Sequence, residues 1–455
     1  MKNDKTFQRS FFIFLLFVVL LCPTNSIIDT QSNIPKATLL ETKLEKVYSP
    51  PFYPFFPLGI YGVRNSTEIW ESWMNRFNTV IFGFAEQEDF EELNIEDMLH
   101  TCDVLGMNVL FETSYFLRKN AMDDLMDFVL SVVDHPSIYA WYIVDEPGLS
   151  TNGTLIDENM IRDAVETIHK IDDRPTFVQF SLQTINESIW ANSFSSVPDF
   201  VDIISVDPYP NMPYMNHSIV TDWVETIIKH NAGRAKIWTV LTAQDSSKSQ
   251  GERGFDIPTE PEYMIDTVLA LQRGIEGLLW FTFGQIEQMD FGSYVFPTSW
   301  DALSRVLRRI SQVAPVLIGR ENEMHIFPIA EKIEAAYAKR GNQTVLFLTN
   351  LDYYWNGTET EWVFRNITIT LQAPGVVSVS LIEPSGLKPL DFKRMGAILS
   401  FNVTVNGGII ILIETPHSIF LLEFQDTLLV IFSCLTLIVV LCRFILHKMQ
   451  QYLGT

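Results

Sequence analysis

The sequence predicts an α/β fold: a (β/α)₈ TIM barrel followed by a C-terminal antiparallel β-sandwich, with a signal peptide and one C-terminal transmembrane helix. Three observations carry this. Short apolar runs alternate with amphipathic helices from residue 55 to about residue 320. The periodicity then changes to alternation by two. An apolar run lies close to each end of the chain.

Eight runs read as barrel strands: Leu58–Val63, Thr79–Phe84, Asn108–Thr113, Ile138–Val144, Thr176–Phe180, Ile203–Val206, Ile237–Leu241 and Gly277–Phe283. Most are continuously apolar, as parallel strands covered on both faces must be. Helical spacing lies between them, as in Trp70, Trp73, Met74 and Phe77, or Ile161, Ala164, Val165 and Ile168. The size fits a closed barrel of about 250 residues. No Gly-rich turn follows the first run, which argues against a nucleotide-binding open sheet. Past Gly319, segments such as Thr344–Leu348, Phe401–Val405 and Ile409–Ile413 are separated by turn formers, Asn406-Gly407-Gly408 among them. The expected domains are therefore a barrel over 55–320 and a β-sandwich over 321–416.

The ends give the topology. Lys2, Lys5 and Arg9 precede the apolar run Phe11–Leu21, which describes a signal peptide over 1–26. Residues 27–54 are polar and then proline-rich, a linker. Residues 427–446 are long and apolar enough to span a bilayer, and His447 and Lys448 begin a cytoplasmic tail over 447–455. The expectation is a cell-surface, single-pass membrane protein with an extracytoplasmic body. Eight Asn-x-Ser/Thr sites, at Asn65, Asn152, Asn186, Asn216, Asn342, Asn356, Asn366 and Asn402, fit a glycosylated exterior. Of four cysteines, Cys102 alone falls in the body, on the apolar helical face of Ile95, Met98 and Leu99. A buried structural thiol and no internal disulfide are expected.

Hydrophobic content of 47% and charged content of 19% are those of a globular protein. The formal net charge of −23 repels phosphate backbones, so nucleic acid is not an expected partner. His217 and His230 lack ligand spacing, so no zinc site is expected, and no cofactor is implied. There is no Gly-x-Ser-x-Gly elbow.

A (β/α)₈ barrel places its active site at the C-terminal strand ends. Tyr61 stands at the first, Glu86 at the second, Glu112 at the third, and Asp145 and Glu146 at the fourth. Asp207 and Tyr209 stand at the sixth, Gln244 and Asp245 at the seventh, and Trp280 at the eighth, with Glu287 just beyond. Carboxylates with aromatics suit sugars: the former supply acid, base or nucleophile, and aromatic faces stack on pyranose rings.

The sharpest motif is Ala140-Trp141-Tyr142-Ile143-Val144-Asp145-Glu146-Pro147. Here the chain resembles the clan A (β/α)₈ glycoside hydrolases, the β-galactosidase- and cellulase-like families, whose fourth strand ends in Asn-Glu or a near variant. The resemblance implies that Glu146 is the general acid/base and that Asp145 replaces the Asn that contacts the sugar 2-hydroxyl. Pro147 biases Glu146 toward an extended backbone. The departure is at strand seven, where these families place a nucleophilic Glu and this chain has Gln244 and Asp245. A Gln cannot form a glycosyl ester. Asp245 is the preferred second carboxylate, with Glu252, Asp207, Glu287 and Glu112 as alternatives. The reading is a membrane-anchored extracellular glycoside hydrolase acting on a carbohydrate. Asp145, Asp207, Tyr209, Glu112, Gln244, Trp280 and Tyr61 are its substrate-binding residues. The alternative is a non-catalytic glycan-binding protein on the same barrel.

Overall fold

A computed structural model describes residues 55–83, 93–147, 156–181, 199–210, 217–231, 233–244, 258–284, 293–355 and 360–416. The expected signal peptide, linker, membrane span and tail lie outside the described residues. Among those described, no helix is long and apolar enough to cross a membrane.

Eight strands close into a parallel barrel in chain order: β1 (Leu58–Tyr61), β2 (Thr79–Phe82), β3 (Asn108–Glu112), β4 (Ile138–Asp145), β5 (Thr176–Phe180), β6 (Ile203–Val206), β7 (Lys236–Thr242) and β8 (Gly277–Phe281). Pairing of β8 with β1, Leu279 opposite Gly59, completes the closure. The described helices around them are α1 (Ser66–Met74), α2 (Ile95–Leu105), α3 (Ser114–Lys119), α4 (Met122–Val132), α5 (Glu158–His169), α6 (Ser218–Asn231), α7 (Glu260–Gln272) and α8 (Pro297–Ile318). Residues 182–198, between β5 and β6, lie outside the description.

Strand residues divide into two layers. Ile81, Leu110, Tyr142, Phe177, Trp238 and Leu279 fill the interior. Val80, Val109, Trp141, Val178 and Leu278 pack outward against the helices. Both layers are apolar, which is why the runs show no polar alternation.

Two irregularities interrupt the β4 register, one at Tyr139 against β3 and one at Ile143 against β5. The second re-phases the strand. Tyr142 points inward, Val144 belongs to the outer layer, and Asp145 comes opposite Gln179.

The α1 face differs from expectation. Ile69 and Ser72 are its buried residues, whereas Trp70, Trp73 and Met74 are 44%, 44% and 63% exposed. Helical spacing identified a real apolar stripe, but only part of it meets the barrel. Phe77, just past the helix, turns in to pack on Trp280 and Trp300.

After α8 come β9 (Phe327–Ala330), β10 (Ile333–Arg340), β11 (Gln343–Asn350), β12 (Tyr353–Trp355), β13 (Thr360–Trp362), β14 (Arg365–Gln372), β15 (Ser378–Glu383), β16 (Gly386–Pro389), β17 (Phe392–Met395), β18 (Ile398–Val405) and β19 (Gly408–Glu414). They form a six-stranded sheet ordered β16-β15-β19-β11-β10-β9, a three-stranded sheet ordered β14-β18-β17, and the β12–β13 hairpin. All their pairings are antiparallel. Leu346, Leu348 and Ile411 of the larger sheet share a core with Ile369, Leu399 and Phe401 of the smaller. This is a sandwich.

The other face of the six-stranded sheet joins the barrel's outer core through Val345, Phe347, Ile410 and Leu412. Helix α7 lies between the two domains and is buried almost all round. Gln272 at its end donates to the Phe347 carbonyl at 3.2 Å and accepts from Thr349. A Cβ on Gly408 would stand 2.5 Å from the Met264 carbonyl, so the close approach of β19 to α7 requires glycine.

His217, which showed no functional spacing in the sequence, is a structural residue. Its Nδ1 lies 2.6 Å from Asp266 Oδ1 on α7, and its backbone N–H donates to the Tyr353 hydroxyl. Its ring packs against Tyr353 and Trp362 of the hairpin. Burial opposes its charge, but the Asp266 carboxylate outweighs that and holds the imidazole above its usual pKa.

Cys102 is a buried free thiol, and burial pushes its pKa up, away from the reactive thiolate. The melting temperature of the body should therefore be the same with and without dithiothreitol, as scanning calorimetry would show. A reductant-dependent shift, or a reducible dimer lost in Cys102→Ser, would overturn the buried assignment.

Candidate active site at the barrel mouth

Side chains from the ends of β1, β3, β4, β5, β6 and β8 converge at the C-terminal end of the barrel. From β1 comes Tyr61, whose hydroxyl donates to Gln179 Oε1 at 2.6 Å. The Tyr142 hydroxyl from β4 donates to Asp145 Oδ1 at 2.7 Å and stands 3.3 Å from the same Gln179 oxygen. Tyr61 and Tyr142 are themselves 3.4 Å apart, oxygen to oxygen. The result is a buried polar chain across the barrel: Tyr61, Gln179, Tyr142, Asp145. Gln179 and Tyr142 stood in the sequence as a strand end and a core aromatic, and only the closed barrel links them. Gly62 follows Tyr61 at φ +78, where a Cβ would collide with the Thr282 hydroxyl.

Glu146 has a left-handed backbone, φ 49. The extended conformation expected before Pro147 is therefore not adopted. Such a conformation costs a non-Gly residue about 1–3 kcal/mol and is found where surrounding structure imposes it. Here the chain must leave β4 sharply, and the Glu146 N–H is fixed to the Gln179 carbonyl at 3.1 Å. The turn brings the Glu146 side chain beside Asp207, just past β6. Ionised carboxylates brought together in a buried site repel one another, which favours the protonated form of Asp207. Burial and the neighbouring Glu146 and Asp145 hold Asp207 well above the usual carboxylate range.

Asp145 is pushed up to about 8 by burial, by Glu112 and by Glu146, against the opposing Tyr142 hydrogen bond and the Arg118 cation. Glu112 at the end of β3 is buried and accepts from the Ser114 hydroxyl. Burial and nearby carboxylates likewise push Tyr61, Tyr142 and Tyr209 up, so all three are neutral hydroxyls.

The aromatic from β8 is not the expected one. Trp280 is fully buried in the outer layer, edge to face with Phe77. Strand alternation turns Phe281 inward instead, 5.8 Å from Tyr61 and 6.2 Å from Tyr209 by ring centroid. Gln244 is buried past the end of β7, and its Oε1, like Asp207 Oδ1, has no hydrogen-bond partner among the described residues. The structure thus brings together Tyr61, Glu112, Asp145, Glu146, Asp207 and Tyr209, and places Trp280 elsewhere. Asp245, Glu86, Glu252 and Glu287 lie outside the described residues. Among the described residues no cluster has the make-up of a metal site.

No protein-family profile and no curated protein sequence matches the chain. Solved structures do. A glycoside hydrolase superposes with a TM-score of 0.53 at 10% identity, covering 80% of this chain and 93% of that one. A glycoside hydrolase family 5 protein from Bacteroides vulgatus has a TM-score of 0.53 at 11% identity, covering 80% and 89%. An α-amylase from Anoxybacillus reaches 0.50 at 9% identity, covering 80% and 98%. At these identities the likeness is one of fold: a (β/α)₈ barrel with an appended β-domain.

The Asp145 shift fixes the sign of a pH effect. A folded-state pKa near 8, against about 3.9 unfolded, means that the folded protein holds this proton more tightly. Its stabilising contribution is complete below the unfolded value and is lost as pH rises toward 8. Thermal unfolding from pH 5 to 9 should show Asp145→Asn losing less stability with rising pH than the parent. Parallel curves would show Asp145 to be ionised in the folded protein.

Proposed function

We propose that this protein, which has the fold of the (β/α)₈ glycoside hydrolases, hydrolyses O-glycosidic bonds in a neutral or cationic carbohydrate, with Glu146 as general acid/base. The observation that carries the proposal is the meeting of Glu146 and Asp207 at the barrel mouth, beside Asp145 and Glu112. It puts a proton beside a carboxyl held at a sharp strand-end turn, where barrel enzymes act.

In the first step Glu146 gives a proton to the glycosidic oxygen as the bond to the anomeric carbon breaks. In the second it takes a proton from the attacking water. Asp207, protonated beside it, tunes this exchange. Because it lies beside Glu146, it is not taken as the partner that acts from the opposite face of the sugar. That partner is Asp245, next to Gln244 beyond β7, the strand on which the resembling families carry their nucleophile. Its carboxylate would attack the anomeric carbon as Glu146 protonates the leaving oxygen, and water would then release the sugar. Glu252 is the next candidate. The neutral hydroxyls of Tyr61 and Tyr209, with the free Gln244 oxygen, suit the hydroxyls of a sugar, and Phe281 offers an apolar ring. The charge of −23 disfavours an acidic glycan.

The body is proposed to lie outside the cytoplasm, anchored through residues 427–446. Exposed Asn65, Asn366 and Asn402 fit this, since they are accessible to glycosylation.

Glu146→Gln keeps the shape and removes the proton. It should slow hydrolysis of a substrate with a poor leaving group by roughly 10²–10⁴-fold. A substrate with an activated leaving group should lose less. An equal, small loss on both would make Glu146 a binding residue and favour the non-catalytic glycan-binding protein.

Asp245→Asn should abolish turnover without lowering the melting temperature, and azide should restore part of it if Asp245 is the nucleophile. Full activity in this variant would move the role to Glu252.

A further inference from the structure

The exposed aromatics of α1 lie outside the hydrophobic cores and outside the mouth. Trp70 and Trp73 stand edge to face, with centroids 5.7 Å apart, and Met74 extends the patch. Contiguous exposed apolar surface of this kind marks an interaction site more often than scattered single residues do. Beside it lies a cavity of about 420 Å³ lined by Trp73, Met74, Arg76, Phe77, Asn78 and the Gly106–Met107 turn. That volume is within the range of small-ligand sites. Arg76 is held at φ 77, a left-handed conformation that costs an arginine backbone energy and directs the chain around the cavity. Helix α1 runs away from the mouth, and Asn78 and Met107 immediately precede β2 and β3, so this site lies toward the opposite end of the barrel.

We propose that the Trp70–Trp73 pair and this cavity form a second glycan-binding surface, taking an uncharged polysaccharide chain on the outside of the barrel. The choice of a glycan rests on the carbohydrate reading of the mouth; the existence of the site rests on the α1 aromatics and the adjoining cavity.

The chemistry favours an uncharged, hydroxyl-rich ligand. Indole faces offer flat apolar area to the C–H face of a pyranose. Arg76 is the one charged side chain in the lining, and its guanidinium donates to hydroxyls. The Asn78 amide is already engaged, accepting from the Leu58 N–H and donating to the Phe56 carbonyl. A membrane surface is a poorer fit: anionic headgroups would meet one cation on a body whose chain carries −23. A polymer held here and at the mouth would be bound at two points, which raises its effective concentration at the catalytic carboxyls.

The test is sedimentation of the detergent-solubilised full chain with cellulose, chitin, β-1,3-glucan and starch particles. The parent should sediment with at least one of them, and Trp70→Ala/Trp73→Ala should weaken that binding by about tenfold or more. Both residues are exposed, so the melting temperature should hold, as should turnover of a small soluble glycoside. Trp70→Phe/Trp73→Phe should retain part of the binding. Failure of the parent to bind any particle would overturn the proposal. So would undiminished binding by the alanine variant, or loss in that variant of self-association or of phosphatidylcholine vesicle binding instead. Glu146→Gln should leave sedimentation intact, which separates this proposal from the catalytic one.

Discussion

Closure of eight short parallel strands forces each of them to divide its residues between an interior column and an outer layer. No strand has an edge, and no face meets water. A change of phase by one residue therefore exchanges what the mouth contains for what the helices touch. The mouth of this protein is built on such a change. The register break at Ile143 turns Asp145 inward, opposite Gln179, and the left-handed turn at Glu146 then delivers a second carboxyl to Asp207. Were β4 regular, Val144 would take the inward position and Asp145 would face the helices.

This geometry concentrates like charge. Glu112, Asp145, Glu146 and Asp207 come from three strand ends into one partly dry region, with Arg118 as the opposing cation. Water cannot screen them there, so the cluster keeps protons at Asp145 and Asp207, and the surrounding tyrosines stay neutral. The same conditions that make such a cluster costly to fold make it able to donate protons near neutrality. The cost is offset elsewhere: the barrel has an apolar layer on each side of its strands, and the β-sandwich adds a further buried interface along α7 and α8.

That interface explains features that look unrelated in the sequence. Helix α7 has little amphipathic character because it is covered by barrel on one side and sheet on the other. Strand β19 reads Gly-Ile-Ile-Ile-Leu-Ile-Glu, without polar alternation, because at the centre of the six-stranded sheet it is buried on both faces. His217 and Asp266 lie where the β12–β13 hairpin meets the barrel, and they pair because neither could be buried alone.

The alternation of apolar runs with helical spacing, and its change after Gly319, determined the barrel, its eight strands and the sandwich. They are local patterns, and each strand run came out within a few residues of its observed bounds. The concentration of carboxyls at the C-terminal strand ends was legible for the same reason, because strand ends can be counted along the chain. Tertiary structure decided which of those side chains meet. Trp280 and Phe281 are neighbours in sequence, and only barrel phase sends the first outward and the second to the mouth. Trp70, Trp73 and Met74 follow the spacing of a buried face, yet the barrel surface reaches only Ile69 and Ser72. Glu146 and Asp207 are sixty-one positions apart, and no local signal joins them. Their meeting exists because eight strands close on one another.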